Sequence, residues 1–309
     1  MIKPSALKPN ATIGIVSPSS WLNEPDLKTA VSVFENKGYK LFLGESVFLK
    51  EFTYAGTPQE RADDINNMFA NPDIDAIICA RGGYGANRVL PLLDYDLIKA
   101  NPKIFVGFSD ITAFLISITQ KTGLITFHGP MLTSFKKGVL EFNFDLMENI
   151  LVGSESVTIH SPSELPACIL KPGKAKGLLW GGNMCLLINR LGTPDQLNTD
   201  GLILFIEDID EYLYSFDRMM VHMRKAGIFE NIKGLIIGEL INMKDQKISF
   251  GKSTNEIVMD VCGDLDIPII ANFPCGHGKY QATLPISIPV KLDTKANSPS
   301  LTLLESSVL

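Results

Sequence analysis

Histidine is scarce, with four in 309 residues, so any chemistry that needs an imidazole has few places to find one. The five cysteines (Cys79, Cys168, Cys185, Cys262 and Cys275) are odd in number and dispersed, with no C-x-x-C pair. That excludes a disulfide framework and suits buried thiols in a reducing compartment. Positive charge is also thin: the net charge is -6, the pI is about 5.3, and only Lys136-Lys137 and the Lys171/Lys174/Lys176 trio cluster locally. Nothing there resembles a nucleic-acid footprint. No window has the length of a membrane span, and Met1 to Pro9 contains no apolar stretch followed by a cleavage site, so the expected setting is the cytoplasm, away from membranes. Nucleotide signatures are missing too. Arg81-Gly82-Gly83-Tyr84-Gly85 lacks the Lys-Ser/Thr ending of a P-loop, and Ile13 to Ser17 lacks the dinucleotide fingerprint. Cys275-Gly276-His277 is one ligand pair without a partner cluster, so neither a metal nor another cofactor is expected.

What is present is a globular chain, 45% hydrophobic and 20% charged, long enough for two domains. Apolar strands and helical segments alternate from Ala11 onward: strand 11–16, helix 25–36, strand 39–43, a helix opened by the Thr57-Pro58-Gln59-Glu60 capping signature, strand 74–79, strand 104–107 and its helix, and strand 124–127. Strands that are apolar on both faces predict a parallel sheet covered by helices, an α/β domain over 1–150. From about Glu141 the pattern dissolves into Ser and Pro, and 151–174 reads as a linker. A second unit, 175–309, opens at Gly177 to Asn183. It holds strand 202–206, a helix over 216–225, strand 235–237, helix 255–261, strand 268–271, and two closing strands, 286–292 and 301–304, joined by Asp293 to Ser300.

In parallel sheets ligands bind beyond the carboxyl ends of the strands. Three segments meet that description: Ser17-Pro18-Ser19-Ser20, the Arg81 to Gly85 loop, and Ser109 after Ile104-Phe105-Val106-Gly107-Phe108. Strand, sharp turn and helix around Ser109 resemble a nucleophile elbow, although Ile111 stands where the second glycine of G-x-S-x-G belongs. A serine there also serves as a helix cap, so both readings stand. A nucleophile needs a base and an orienting acid. His160 falls in the linker and His222 in mid-helix, while His128 at a strand end and His277 between two glycines are the candidates. For the acid, Glu207 directly follows an apolar strand, with Asp208, Asp210 and Glu211 as competitors. The glycines at 82, 83 and 85 let backbone N–H groups approach an anion, Arg81 can meet a substrate carboxylate, and Trp180 offers either a stacking surface or core packing.

Arg81-Gly82-Gly83-Tyr84-Gly85, Gly107-Phe108-Ser109-Asp110, Gly181-Gly182-Asn183, Ile206-Glu207-Asp208 and Gly276-His277-Gly278 occur in this order and at the approximate spacing of the LD-carboxypeptidases, a family that includes the microcin C self-immunity proteins. The resemblance runs from about Ala11 to Leu292. It implies a Rossmann-like N-terminal domain, a smaller mixed α/β C-terminal domain, and a cytoplasmic serine peptidase that is a homodimer. Carried over, the nucleophile is Ser109, the base His277 and the acid Glu207, with Glu211 as fallback; the N–H of Asp110, with one from Gly82 or Gly83, forms the oxyanion hole. The implied reaction removes terminal D-alanine from murein tetrapeptides during cell-wall recycling. The immunity branch instead cleaves peptidyl or aminoacyl nucleotides, for which Trp180 would stack on a base.

Overall fold

The computed structural model describes residues 1–295 and 298–309. They fall into two compact units, one made of 1–155, 282–287 and 306–309, the other of 156–281 and 288–305. The strands are β1 (Thr12–Val16), β2 (Lys40–Leu43), β3 (Ala76–Cys79), β4 (Ile104–Gly107), β5 (Phe127–His128), β6 (Thr158–His160), β7 (Cys168–Lys171), β8 (Lys174–Asn183), β9 (Leu202–Ile209), β10 (Gly234–Ile241), β11 (Ile269–Phe273), β12 (Leu284–Pro285), β13 (Pro289–Asp293) and β14 (Ser300–Leu303). The helices are α1 (Glu24–Asn36), α2 (Pro58–Ala70), α3 (Ala86–Val89), α4 (Tyr95–Ala100), α5 (Thr112–Thr122), α6 (Glu141–Leu151), α7 (Met184–Ile188), α8 (Leu213–Lys225) and α9 (Thr254–Cys262).

In the first unit β2, β1, β3, β4 and β5 lie side by side, all parallel, and β12 adds antiparallel to β5. This is a doubly wound order, which brings the loops after β1, β3 and β4 to one edge of the sheet. The residues of β3 and β4 are buried throughout, as their unbroken apolar sequence requires. Helix α2 starts where Thr57 and Glu60 form a reciprocal capping box with Pro58 at the first helical position. The core includes Phe69 stacked on Phe105 at 5.9 Å and Phe34 edge-on to Phe135 at 5.3 Å. Truncating one such buried ring to alanine costs about 3–5 kcal/mol.

The second unit carries a mixed sheet in the order β6-β14-β13-β8-β9-β10-β11-β7. Its centre, β8 to β11, is parallel, and antiparallel strands flank it on both sides. Helix α8 buries Phe216, Met220 and Met223, spaced at helical intervals.

Two expectations are corrected. The stretch 151–174 is no simple linker, because β6 and β7 within it form the two edges of the second sheet. Edge strands are short and tolerate nearby proline, which is why Pro162, Pro166 and Pro172 hid them. The strand expected over 286–292 starts late: β13 begins only at Pro289 and belongs to the second sheet, while the two-residue β12 just before the expected stretch belongs to the first. Between them Ser287 takes φ +69°, a change of direction that no glycine announces. The expected connection from Asp293 to Ser300 includes Ala296 and Asn297, which lie outside the described residues.

Candidate active site

In the first unit, β4 ends at Gly107, Phe108 is extended, and Ser109 sits at φ +63° before a 3-10 turn, Ser109–Ile111, that runs into α5. A non-glycine residue in that region costs about 1–3 kcal/mol, and such strain gathers at functional sites. A Cβ on Gly107 would lie 2.6 Å from the Ile111 Cγ2 atom, so Ile111 packs directly over the glycine before the elbow. That close approach accounts for the absent second glycine of the elbow pattern. The cap position of α5 belongs to Ile111 rather than to Ser109.

Ser109 faces the loop after β3. A Cβ added to Gly82 would stand 2.9 Å from the Ser109 Cβ, 3.1 Å from its Oγ and 3.5 Å from the Asp110 nitrogen. Gly83 has φ +127°, and the Ser20 hydroxyl fills the space a side chain there would need. The Ser20 N–H donates to the Gly82 carbonyl at 3.3 Å. Because a peptide is planar and trans, this turns the Gly83 N–H away from Ser20. The loops after β1, β3 and β4 therefore meet, as the sequence led us to expect.

In the second unit Glu207 lies near the end of β9 with 0% exposure, and His277 lies in the turn after β11. The His277 Nδ1–H donates to the Glu207 Oε2 at 2.7 Å. Two glycines make room for the pair. A side chain on Gly276 (φ +100°) would run into the Glu207 carboxylate, and a Cβ on Gly238 would come within 2.8 Å of the Cys275 sulfur and 2.9 Å of the Glu207 Cβ. Burial pulls the His277 imidazole toward neutrality, but the hydrogen bond and charge of Glu207, with Asp208 and Asp210 farther out, outweigh it and raise its pKa above the usual value. With Nδ1 committed to the carboxylate, Nε2 is the nitrogen placed to take a proton.

Asp208 plays a different part. Burial, with the adjacent Glu207 charge, pushes it up to about 6 despite hydrogen bonds from the Ile209 N–H, the Asn183 amide and the Cys185 N–H. Asn183 in turn caps α7. The Gly181-Gly182-Asn183 motif thus anchors the strand end that bears Glu207. Sequence reasoning missed Glu239. It follows Gly238 near the end of β10, its carboxyl packs against Gly278, its Oε1 is buried without a hydrogen-bond partner, and burial pushes it up to about 7. A carboxylate after the apolar run Leu235 to Ile237 was the available signal, the same one that marked Glu207 on the neighbouring strand.

The other candidates separate. Glu211 accepts the Lys244 N–H through its backbone carbonyl, while Glu207 holds the histidine. His128 is 1% exposed and edge-on to Phe108; His222 is exposed on α8, and His160 lies beside Ser298 at the edge of the second sheet. Cys275 is fully buried, and burial, with the charges of Glu207 and Glu239, holds its thiol far above the usual range, which rules against a thiolate nucleophile. Arg81 donates to the Trp21 carbonyl at 3.1 Å. Trp180, for which stacking and core packing were both open, is 7% exposed within β8. Among the described residues no group of three or more His, Cys, Asp or Glu is arranged for a metal ion, and no helix is long and apolar enough to cross a membrane.

Comparison with known proteins matches residues 13–129 to the LD-carboxypeptidase N-terminal domain and residues 176–292 to the LD-carboxypeptidase C-terminal domain. A probable murein peptide carboxypeptidase of Bacillus subtilis (strain 168) is 34% identical over 298 residues, which cover 94% of this chain and 92% of that one. Among solved structures, the microcin C7 self-immunity protein MccF in complex with aspartyl sulfamoyl adenosine superposes with a TM-score of 0.94 at 27% identity, covering all of both chains. The muramoyltetrapeptide carboxypeptidase from Oxalobacter formigenes gives a TM-score of 0.84 at 30% identity over 95% of this chain and 98% of that one.

Proposed function

The chain belongs to the LD-carboxypeptidase family, and from that premise we propose that it is a serine carboxypeptidase that cuts an L,D-peptide bond and releases terminal D-alanine from murein tetrapeptides in cell-wall recycling. The observation that carries the reading is the 2.7 Å pair of Glu207 and His277, a base held in one tautomer by a buried acid. The strained Ser109 supplies the nucleophile that such a base requires.

In this mechanism the Ser109 Oγ attacks the carbonyl carbon of the L,D-bond while His277 Nε2 takes the hydroxyl proton. The N–H of Asp110 and one from the Gly82-Gly83 segment hold the oxyanion. The carbonyl re-forms, the C–N bond breaks, and His277 returns the proton to the departing amine of D-alanine. Water, deprotonated by the same imidazole, then attacks the acyl-enzyme and frees the tripeptide. Glu207 orients the imidazole and stabilises the imidazolium in both halves. Arg81 would meet the terminal carboxylate of the substrate. A cytoplasmic homodimer completes the reading.

One observation favours a second reading: the MccF structure with its aspartyl sulfamoyl adenosine has a TM-score of 0.94 to this chain. The same groups would then cleave an amide joining an amino acid or peptide to a nucleotide. The test is to incubate the purified protein in parallel with a murein tetrapeptide and with aspartyl sulfamoyl adenosine. Release of D-alanine at the higher kcat/KM supports the carboxypeptidase; preferential release of aspartate supports the immunity-type amidase; hydrolysis of neither overturns both.

A further inference from the structure

Asp110 follows the candidate nucleophile, and its backbone N–H already has a proposed task. Its side chain is 4% exposed and turned inward. The Asp110 Oδ2 accepts from the Ser19 hydroxyl at 2.5 Å and from the Ala86 N–H at 2.9 Å. Ser19 belongs to the loop after β1, Ala86 opens α3 at the end of the loop after β3, and Asp110 lies on the elbow after β4. One carboxylate therefore binds three strand ends together.

Arg61 extends the arrangement. It reaches in from α2, is 1% exposed, and donates from Nη1 to the Pro18 carbonyl at 2.8 Å and, more weakly, to the Gly85 carbonyl at 3.4 Å. Its guanidinium charge favours the ionised Asp110, against a burial that raises the carboxyl. Hydrogen bonds to an ionised acceptor are roughly twice as strong as neutral ones. A buried guanidinium deprived of its counter-charge is costly.

We propose that the Asp110 side chain is a positioning residue for the oxyanion hole. Through Ser19, Ala86 and Arg61 it locks the Gly82-Gly83 segment against the Ser109 elbow, so that backbone donors from two different loops stay aimed at one point. The inference rests on the serine-peptidase reading. A donor displaced by about 1 Å loses on the order of a hundredfold in rate, so the clasp is expected to act on kcat rather than on ground-state binding.

The test is Asp110→Asn, which keeps the backbone N–H and the side-chain shape but removes the charge, with the milder Ser19→Ala as a second variant should the first fold poorly. Three quantities are compared on whichever substrate the wild type hydrolyses: kcat and KM, affinity for a peptide boronate that forms a tetrahedral anion on the serine, and affinity for the uncleaved peptide on a Ser109→Ala background. The clasp predicts that kcat falls about 10- to 100-fold for Asp110→Asn and less for Ser19→Ala. Boronate affinity should fall in parallel, while KM and peptide affinity stay within about twofold. Combining the two changes should cost no more than Asp110→Asn alone. A folded Asp110→Asn protein with wild-type kcat overturns the inference and leaves the peptidase reading intact. Equal loss of boronate and peptide affinity also overturns it, because that marks general damage. A wild type that hydrolyses neither substrate overturns the peptidase reading and this inference with it.

Discussion

Gly82→Ala is the change that presses hardest on the proposed site for the least chemistry. Gly82 is outside the positive-φ region, so alanine meets no backbone penalty there. The methyl group alone decides the result. It would sit 2.9 Å from the Ser109 Cβ and 3.1 Å from the Oγ, whereas carbon atoms rest about 3.5–4.0 Å apart. Either Ser109 or the loop must yield by roughly 0.5–1 Å, and the space in question is where the reacting carbonyl oxygen would lie. Misplacement on that scale, or the loss of one oxyanion donor, lowers kcat by about 10²–10³. Overpacking costs about 1–3 kcal/mol of stability, which leaves a folded protein. The assay is steady-state release of D-alanine with thermal unfolding followed by circular dichroism. A folded Gly82→Ala protein with kcat/KM within about threefold of wild type would refute the placement of the oxyanion beside Gly82.

The acid and its neighbours make further predictions. Glu207→Gln removes the charge that raises the His277 pKa and leaves the burial that lowers it. The acidic limb of the kcat/KM profile should therefore move to lower pH while the plateau falls by about 10⁴. Because the folded-state pKa of His277 is raised, the pair stabilises the protein fully below the unfolded value of 6.5 and loses that contribution as pH rises through the folded value. Glu207→Gln should accordingly lower Tm more at about pH 5.5 than at about pH 9, and an equal loss at both would count against the pair. Glu239 has the opposite sign: its carboxyl is pushed up to about 7 by burial, so its ionised form opposes folding as pH rises above the ordinary carboxyl range. Glu239→Gln should raise Tm at about pH 8 and converge on wild type near pH 4.5; a lower Tm at pH 8 would mean the carboxylate has a partner that holds it.

The elements that read clearly from sequence were those whose local signals agreed with their tertiary setting. Thr57, Pro58 and Glu60 wrote out the start of α2, and the unbroken apolar runs of β3 and β4 announced strands buried on both faces. Ser109 was legible as a strand-to-helix turn, but not its left-handed φ, since Ile111 broke the expected pattern. Packing over Gly107 explains that departure. What escaped were features set by distant contacts. The short edge strands β6 and β7 bury only Ile159 between them, too little to write a pattern. Strand β12 has only two residues, too few to show a pattern, and the chain changes sheet after it at Ser287 without a glycine. Trp180 carried no sign of its burial, because an indole beside two glycines reads alike in a core or on a surface. Glu239 went unremarked because a single carboxylate after an apolar strand gains meaning only when Gly278 is found against it.

Attack by Ser109 with His277 as its base is the step on which the proposed peptidase chemistry turns. Rapid quenching of the reaction with a murein tetrapeptide, followed by mass spectrometry of the digested protein, tests it most directly. The expected result is a tripeptidyl adduct on the fragment containing Ser109, none in Ser109→Ala, and D-alanine release lowered by about a millionfold in Ser109→Ala and in His277→Ala. Undiminished release from Ser109→Ala, or an adduct on any other residue, would contradict it.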